Sequence, residues 1–325
     1  MTPMDERGAP APALVTLGES MGLVTADDIG PIEYARSFSF GIGGAESNVA
    51  IGVARLGGSA GWIGRLGRDA AGDMIERRLR AEAVHVLAIR DAAFTGLMVK
   101  HRRFGDRLQV DYHRRGSAGS RLSPADLPPG VIEAATVLHI TGITPALSGS
   151  AAQAVSAAVD RARAAGVTVS FDVNYRSKLW TPDDARPALC RLAESADVLF
   201  AGVHEAMLLL GDHKGGTAVE LARAMAALGP RQVIVKDAER GCAAFIDGEA
   251  FEAPAISVHV VDPVGAGDAF VAGYLAELLS GRPAHDRLTT ATAAGAFAVS
   301  VPGDCEGLPR RGDLQALLAY DDISR

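Results

Sequence analysis

The residues best suited to chemistry lie in one stretch, Val261–Leu275, which reads VDPVGAGDAFVAGYL. Gly265, Ala266 and Gly267 form a turn with almost no side chain, so backbone N–H groups can surround an anion there. From Asp268 onward the residues favour a helix, whose N-terminal amides and dipole attract negative charge. The Asp268 carboxylate beside this anion hole can accept a proton from a nucleophilic hydroxyl. The stretch is suited to phosphoryl transfer, although a glycine turn capped by Asp is also a common structural feature.

The helix that begins at Asp268 is apolar on nearly every face, which predicts that it is buried. Gly281 and Pro283 end it. We expect the helix N-terminus to lower the pKa of Asp268 and make it a weak base. Phosphoryl transfer tolerates a weak base, because its transition state is loose and positioning dominates.

The same stretch resembles the C-terminal signature of the ribokinase-like (PfkB) carbohydrate kinases. That family uses the aspartate as the base on a sugar hydroxyl and the glycine turn as the anion hole, which implies these roles for Asp268 and for the turn. A second segment, GGAESNVA from Gly43 to Ala50, resembles the N-terminal signature of the family. It implies that Gly43, Gly44 and Asn48 contact the sugar; a glycine-capped helix start is the structural alternative.

Three central segments narrow the resemblance to the 2-keto-3-deoxygluconate kinases: YHRRGSAGS from Tyr112, LHITGITPAL from Leu138 and DVNYRSKLW from Asp172. In that subfamily the matching tyrosine and arginines contact the substrate, which implies substrate contacts for Tyr112, Arg114 and Arg176. The chemistry agrees, because the substrate is an acid and a guanidinium pairs bidentately with a carboxylate. A surface ion pair is the alternative for Arg176.

Nucleotide contacts also follow from the resemblance. It implies that Asn174 lies near the phosphates and that the loop from Lys236 to Gly241 touches the nucleotide. Gly265 and Gly267 are expected to serve the nucleotide as well. ATP and Mg²⁺ are the implied cofactors. The metal is expected to be held mainly by phosphates and water, with Glu205 as the protein group nearest to that role. Dependence on a monovalent cation is left open.

The chain departs from the family pattern at several positions. Ala238 replaces a usual glycine, Gly202 replaces the asparagine of an Asn-x-x-Glu motif that retains Glu205, and His113 stands where relatives often carry tyrosine. These changes affect the expected nucleotide affinity and magnesium water network rather than the reaction class. Gly303-Asp304 is expected to close an adenine pocket.

Composition indicates a globular protein without nucleic-acid or membrane partners. The chain has 325 residues, 48% of them hydrophobic, with a net charge of −7 and no basic stripe. The three cysteines form no CxxC pair, and no GxxxxGK[ST] loop occurs. No apolar run is long enough to span a bilayer, and the start lacks the pattern of a signal peptide, so we expect a cytoplasmic protein.

Strands that alternate with helices predict a doubly wound, mostly parallel sheet with helices on both faces, as in the ribokinase-like fold. We expect a disordered tail over residues 1–12 and a kinase domain over 13–325. A small β lid is expected from about 19–42 and 94–115, with a hairpin turn at Gly105-Asp106 and with Met98 in the substrate site. Open lid edges would favour a homo-oligomer that pairs through the lid.

The sequence therefore predicts an ATP-dependent kinase that phosphorylates a hydroxyl of 2-keto-3-deoxygluconate, with Asp268 as base. A kinase of a neutral sugar, such as a fructokinase or ribokinase, is one alternative. A catalytically silent sugar-acid sensor with the same fold is another, which the intact DPVGAGD segment disfavours. The preferred epimer and the oligomeric state are left open.

Overall fold

The computed structural model describes residues 11–104, 107–211 and 216–323. The predicted hairpin turn at Gly105-Asp106 lies outside them, as does nearly all of the predicted tail. The described chain forms a nine-stranded sheet, a four-stranded sheet and the helices that cover the larger one.

The elements follow one another as strands and helices in frequent alternation. In chain order they are β1 (Leu14–Leu17), β2 (Met21–Ile29), β3 (Phe38–Gly43), α1 (Ala45–Arg55), β4 (Ala60–Gly67), α2 (Ala70–Ala81), β5 (His85–Asp91), β6 (Leu97–Phe104), β7 (Arg107–His113), β8 (Val137–Thr141), α3 (Gly149–Ala164), β9 (Thr168–Asp172), α4 (Pro182–Glu194), β10 (Val198–Gly202), α5 (Val203–Leu210), α6 (Ala218–Ala226), β11 (Gln232–Lys236), β12 (Cys242–Ile246), β13 (Glu249–Ala253), α7 (Ala266–Leu279), α8 (Ala284–Val299) and α9 (Arg311–Ile323).

The large sheet has the strand order β13-β12-β11-β10-β9-β8-β1-β4-β5. From β11 to β5 neighbouring strands pair in parallel, whereas β12 runs antiparallel to β11 and to β13. This confirms the predicted ribokinase-like doubly wound sheet. Its central strands are apolar runs such as LVTL and VLFAG because both of their faces are buried.

Each face of the sheet has its own core. On one face Val49, Ile75 and Tyr274 pack in the cluster formed with α1, α2, α7 and α8. On the other face Val155 and Leu189 belong to the cluster formed with α3 to α6. The carboxyl ends of the parallel strands lie at one edge of this sandwich, where a ligand site is expected. Within the described residues no helix is long and apolar enough to cross a membrane.

The small sheet, with strand order β3-β2-β6-β7, forms the lid. Its inner face carries Met21, Leu23 and Met98, which are buried together. Its outer face exposes Phe38 and Phe40, 47% and 50% accessible respectively. All four lid strands lie within the ranges predicted from the sequence, apart from Gly43, the last residue of β3.

Two helices carry the central residues of the predicted site. Helix α1 starts at Ala45 with Gly44 at the N-cap position, where a Cβ would lie 2.5 Å from the Glu19 backbone oxygen. Helix α7 starts at Ala266 rather than Asp268, with Gly265 as a left-handed N-cap at φ 80°. As a consequence Asn48 and Asp268 lie within the first turns of their helices, each projecting toward the strand ends.

Candidate active site

A cleft of about 1100 Å³ lies between the lid and the carboxyl ends of the strands. It brings together most of the site residues predicted from the sequence: Gly44, Asn48, Met98, Tyr112, Arg114, Asn174, Arg176, Glu205, Lys236, Gly265, Gly267 and Asp268. Gly43, Ala266 and Gly241 are not among its lining residues. Gly43 lies directly behind the lining, since a Cβ there would come within 2.6 Å of Met98 Cε. Gly241 lies in the connection from β11 to β12.

The predicted anion hole is a left-handed turn at the start of α7. Gly265 has φ 80°, and a Cβ on it would lie 2.7 Å from the backbone oxygen of Asp304, so both its conformation and its surroundings require glycine. The first intrahelical bond of α7 runs from the Ala269 N–H to the Gly265 carbonyl. The preceding amides, from Ala266 to Asp268, therefore remain available for an anion at the cleft.

Asp268 is held by a hydrogen bond from a distant helix. Asn48 Nδ2 donates to Asp268 Oδ2 over 2.8 Å and to Asp304 Oδ1 over 2.6 Å. Both carboxylates are at least nine-tenths buried. From the sequence Asp304 is expected beside an adenine ring, but its carboxylate instead lies with the candidate base.

Burial decides how these two carboxyl groups titrate. It raises the pKa of Asp268 above the usual value, against the opposing effects of Asn48, Arg176 and Lys236. The expectation that the helix N-terminus would lower this pKa was therefore wrong, because desolvation outweighs the favourable interactions. Burial, with the nearby charge of Asp268, also raises the pKa of Asp304 to about 7. A base with a raised pKa accepts a proton more readily near neutrality.

Lys236 reaches the anion-hole turn from the carboxyl end of β11. Its Nζ donates to both oxygens of Asp172 over 2.9 Å, and it lies 3.7 Å from where a Cβ of Gly267 would be. Burial raises the pKa of Asp172 to about 6, while the Lys236 ammonium opposes this rise. The ammonium is therefore placed to add positive charge at the turn, as the predicted nucleotide contact requires.

Glu205 serves first as a helix cap. Its Oε2 accepts from the Gly202 N–H over 2.6 Å and its Oε1 from the Tyr175 N–H over 2.8 Å. Each oxygen therefore already has a backbone donor, although the side chain lines the cleft. Within the described residues no cluster of three or more His, Cys, Asp or Glu side chains is arranged to hold a metal. That magnesium is held mostly by phosphate and water oxygens stays a prediction.

The two predicted carboxylate-binding arginines differ in their surroundings. Arg114 donates from Nε and Nη2 to Oε2 of the buried Glu19, over 2.7 and 2.6 Å. Arg176 is exposed at the cleft and makes no ion pair within 4 Å among the described residues, although its charge acts on Asp268. Tyr112 lies on the lid strand β7 with the Arg114 guanidinium 5.8 Å from its ring centre. Of these two arginines, Arg176 is thus the more available to a ligand.

Asn174 has the left-handed φ of 39° and is buried two residues after the end of β9. It acts on Asp268, whose pKa its side chain helps to lower against the dominant effect of burial. From the sequence we place it near the phosphates. The structure puts its side chain within hydrogen-bonding reach of the candidate base, and its contact with the phosphates stays a prediction.

Four cleft residues were given no role by the sequence analysis: Glu19, Glu46, Lys100 and Asp172. Asp172 carried a signal, because it is the polar residue that ends the apolar strand β9. Glu46 lies inside the N-terminal signature and accepts from the Thr141 and Thr144 hydroxyls over 2.7 and 2.6 Å. Glu19 and Lys100 gave no signal, because their partners are distant in sequence.

Comparison with known proteins identifies the family. The model of the pfkB family carbohydrate kinases matches residues 12–311. The chain belongs to this family. It is 38% identical to a 2-dehydro-3-deoxygluconokinase of Bacillus subtilis strain 168, over 94% of this chain and 95% of that protein. It is 36% identical to a 2-dehydro-3-deoxygalactonokinase of Haloferax volcanii, over 92% and 97% respectively. A fructokinase of Klebsiella pneumoniae is 38% identical over 85% of this chain and 91% of that protein.

A solved structure has the same fold as this chain. A ribokinase II from E. coli in complex with ATP and Mg²⁺ superposes with a TM-score of 0.87 at 27% sequence identity, covering 95% of this chain and 99% of that one. The family match and the superposition together establish the chain as a carbohydrate kinase with the ribokinase-like fold.

Proposed function

We propose that this kinase transfers the γ-phosphoryl group of ATP to a hydroxyl of 2-keto-3-deoxygluconate. The observation that carries the proposal is Arg176, an exposed cation without an ionic partner among the described residues, which lines the cleft that contains Asp268. A guanidinium in that position suits a substrate carboxylate. The relatives named as 2-dehydro-3-deoxygluconokinase and 2-dehydro-3-deoxygalactonokinase support a sugar-acid substrate.

In the proposed reaction Asp268 accepts the proton of the attacking hydroxyl. The hydroxyl oxygen forms a bond to the γ-phosphorus, the bond from that phosphorus to the β,γ-bridging oxygen breaks, and ADP leaves. The amides at Gly265, Ala266 and Gly267 stabilise the charge on the transferred group. Lys236 adds a positive charge beside them, and Asn48 holds the carboxylate of Asp268 in position. Magnesium, when bound, supplies charge neutralisation at the phosphates, with Glu205 as the nearest candidate protein group.

A neutral sugar such as fructose is the second candidate substrate. It is favoured by one observation: Glu19 already neutralises Arg114, so only one of the two predicted arginines stays unpaired for a substrate carboxylate. The fructokinase relative supports it as well. A silent sensor is disfavoured, because Asp268, Asn48 and the anion-hole turn are all assembled.

The test is a panel of sugars and sugar acids in a coupled ATP assay. It should contain 2-keto-3-deoxygluconate, 2-keto-3-deoxygalactonate, fructose and ribose, each with magnesium. We expect the highest kcat/KM for one of the two sugar acids. A higher kcat/KM for fructose or ribose would replace the sugar-acid assignment, and no turnover of any compound would favour the sensor.

We also propose that the kinase assembles as a homo-oligomer through the lid. The outer face of the lid exposes Phe38 and Phe40, beside the half-buried Val24, Leu97 and Val99. Among the described residues, the edge strands β3 and β7 have no neighbouring strand on their outer sides. A second copy of this sheet would cover both, most simply by a two-fold contact.

A further inference from the structure

Lys100 links the lid to the loop that precedes the anion-hole turn. It lies on β6, and its ammonium donates to Asp262 Oδ2 and, over 2.9 Å, to the backbone carbonyl of Gly303. The side chains of Lys100 and Asp262 are each 3% exposed, so solvent screens their attraction little. An ion pair buried this deeply is costly to desolvate, and losing either partner would leave an unpaired charge.

Asp262 uses its carboxylate to join two loops. Its Oδ1 accepts from the Val264 N–H over 3.1 Å, and its Oδ2 accepts from the Gly303 N–H over 3.2 Å. Val264 precedes Gly265 of the anion hole, and Gly303 precedes Asp304. The Lys100 ammonium therefore lies where the loop of the anion hole meets the loop of the carboxylate that shares Asn48 with Asp268.

The ligands of this ammonium are those that a bare monovalent cation would take. A carboxylate and a backbone carbonyl are hard oxygen donors, and carbonyl oxygens are the usual replacement for the hydration shell of potassium. We propose that Lys100 is a tethered monovalent cation that fixes the anion-hole loop and the Asp304 loop, so that the kinase needs no added potassium or sodium. The sequence left such a requirement open, and the structure fills this position with the protein's own charge.

The tether also makes this cation part of the lid. Arg102, two residues along β6, donates from Nη2 to the Val261 carbonyl over 2.5 Å, so a second lid cation holds the same loop. A free ion could bind with the lid in any position, whereas Lys100 can organise the turn only when β6 is in place. The proposal concerns the kinase reaction and does not depend on which sugar is the substrate.

The wild-type enzyme provides the first test. Its kcat is measured with the best substrate of the panel in choline chloride, potassium chloride and ammonium chloride at equal ionic strength. We expect the three values to agree within about twofold, because the position is already occupied. Activation by potassium of more than about tenfold over choline would overturn the proposal. This test needs no variant and stays decisive if a variant does not fold.

Lys100→Ala provides the second test, because it leaves a space that ammonium can enter and choline cannot. We expect kcat in choline chloride to fall about a hundredfold, because the loop of the anion hole loses its tether and small misplacements of this kind cost about that much. Ammonium should restore at least about tenfold. Lys100→Met should lose as much kcat in choline chloride and regain little of it in ammonium chloride, since the methionine side chain fills the space. Arg103→Ala, at an exposed position of the same strand, is the control and should resemble wild type.

A readout independent of turnover separates this proposal from the choice of substrate. The Tm of Lys100→Ala should rise in ammonium chloride relative to choline chloride, whereas the Tm of wild type and of Arg103→Ala should not. A Lys100→Ala enzyme with near wild-type kcat in choline would overturn the proposal. The proposal would also be overturned if neither the kcat nor the Tm of Lys100→Ala changed with ammonium, since Lys100 would then act only as a packing residue.

Discussion

Asn48 donates to Asp268 Oδ2 over 2.8 Å, although 220 positions separate these residues in the sequence. The other carboxylate partner of the same nitrogen is Asp304, so both amide protons are committed to acidic groups. Asn48 Oδ1 is buried and has no hydrogen-bond partner within the described part of the chain. The amide nitrogen therefore orients the candidate base.

Asp268→Asn should abolish most turnover while preserving the fold and ligand binding. We expect kcat to fall by roughly 10²–10⁴, the usual contribution of general acid–base catalysis. The loss should appear in kcat and not in KM, because a base acts in the transition state rather than in ground-state binding. Steady-state kinetics with the best substrate and ATP measure both. A variant with near wild-type kcat would remove Asp268 from the mechanism.

Asp304→Asn should change how stability depends on pH. The folded enzyme raises the pKa of Asp304 to about 7, so between the unfolded value near 4 and pH 7 the folded state retains a proton that the unfolded state loses. Stability therefore falls as pH rises through this window and then stays level. Asparagine does not titrate, so the variant should avoid this loss.

The measurement is urea unfolding of both proteins at pH 5 and pH 8. At each pH the free energy of unfolding of wild type is subtracted from that of Asp304→Asn. This difference should be more positive at pH 8 than at pH 5, by on the order of 1–3 kcal/mol. Asp237→Asn is a suitable control, because that carboxylate pairs with the exposed Arg240 outside the cleft. An identical difference at both pH values would mean that Asp304 is ionised in the folded protein throughout the range.

The sequence was sufficient for the parts of the site that are local. The glycine turn, Asp268 and the strand ends follow from residues adjacent in the chain, and the alternation of strands and helices predicted the sheet. The edge strand β5 carries only a weak local signal, because HVLAIRD is mostly half-buried and lacks a clear period. The start of α7 was misplaced because Ala266 and Gly267 were interpreted as turn residues only.

The contacts between distant segments could not be predicted. Asp304 meets Asn48, Lys100 meets Asp262 and Arg114 meets Glu19 only after the lid and the sheet have packed. The same is true of the raised pKa of Asp268, because local sequence shows the helix dipole but not the degree of burial. Pairing partners and desolvation are properties of the folded protein.

Ala238→Gly should lower the free energy of unfolding less than an alanine-to-glycine change at an ordinary backbone conformation. Ala238 has φ 47°, where a non-glycine residue costs about 1–2 kcal/mol, and the family usually has glycine here. Greater freedom of glycine in the unfolded chain offsets about 0.5–1 kcal/mol. The net expectation is a free energy of unfolding that is unchanged or higher by up to about 1 kcal/mol.

Ala35→Gly is the matched control, because Ala35 has an ordinary φ of −65°. That variant should lose about 0.5–1 kcal/mol, since glycine relieves no strain there. Urea unfolding of both variants and wild type gives the comparison. Equal losses in the two variants would show that the loop before Gly241 is not strained by alanine.

Phe38→Ser should weaken self-association if the lid forms the oligomer contact. Phe38 is 47% exposed on the outer lid face, and a partner would bury it. Phe94→Ser is a matched control, because Phe94 is also 47% exposed but lies outside the lid strands. Light scattering over a range of concentrations should show a dimer for wild type and for Phe94→Ser, and more monomer for Phe38→Ser. A wild-type monomer at assay concentrations would contradict the lid contact.

Arg176→Ala should discriminate between acidic and neutral substrates. If Arg176 binds a carboxylate, its loss leaves a desolvated anion without its partner, which typically costs about 2–5 kcal/mol. That range corresponds to a loss of roughly thirtyfold to several-thousandfold in kcat/KM for 2-keto-3-deoxygluconate. Fructose has no carboxylate, so its kcat/KM should change much less. Arg176→Lys should recover only part of the loss, because an ammonium lacks the planar fork.

Arg114→Ala should also lower kcat/KM more for 2-keto-3-deoxygluconate than for fructose, but the two losses should differ less than in Arg176→Ala. The reasons are that Glu19 already takes part of the Arg114 charge and that the variant leaves Glu19 unpaired. The measurement is kcat/KM for 2-keto-3-deoxygluconate and for fructose in wild type, Arg176→Ala and Arg114→Ala. Arg191→Ala, at an exposed position on α4, controls for general loss of positive charge. Equal proportional losses on the two substrates would mean that the arginines serve folding or the phosphates, and the sugar-acid assignment would lose its physical basis.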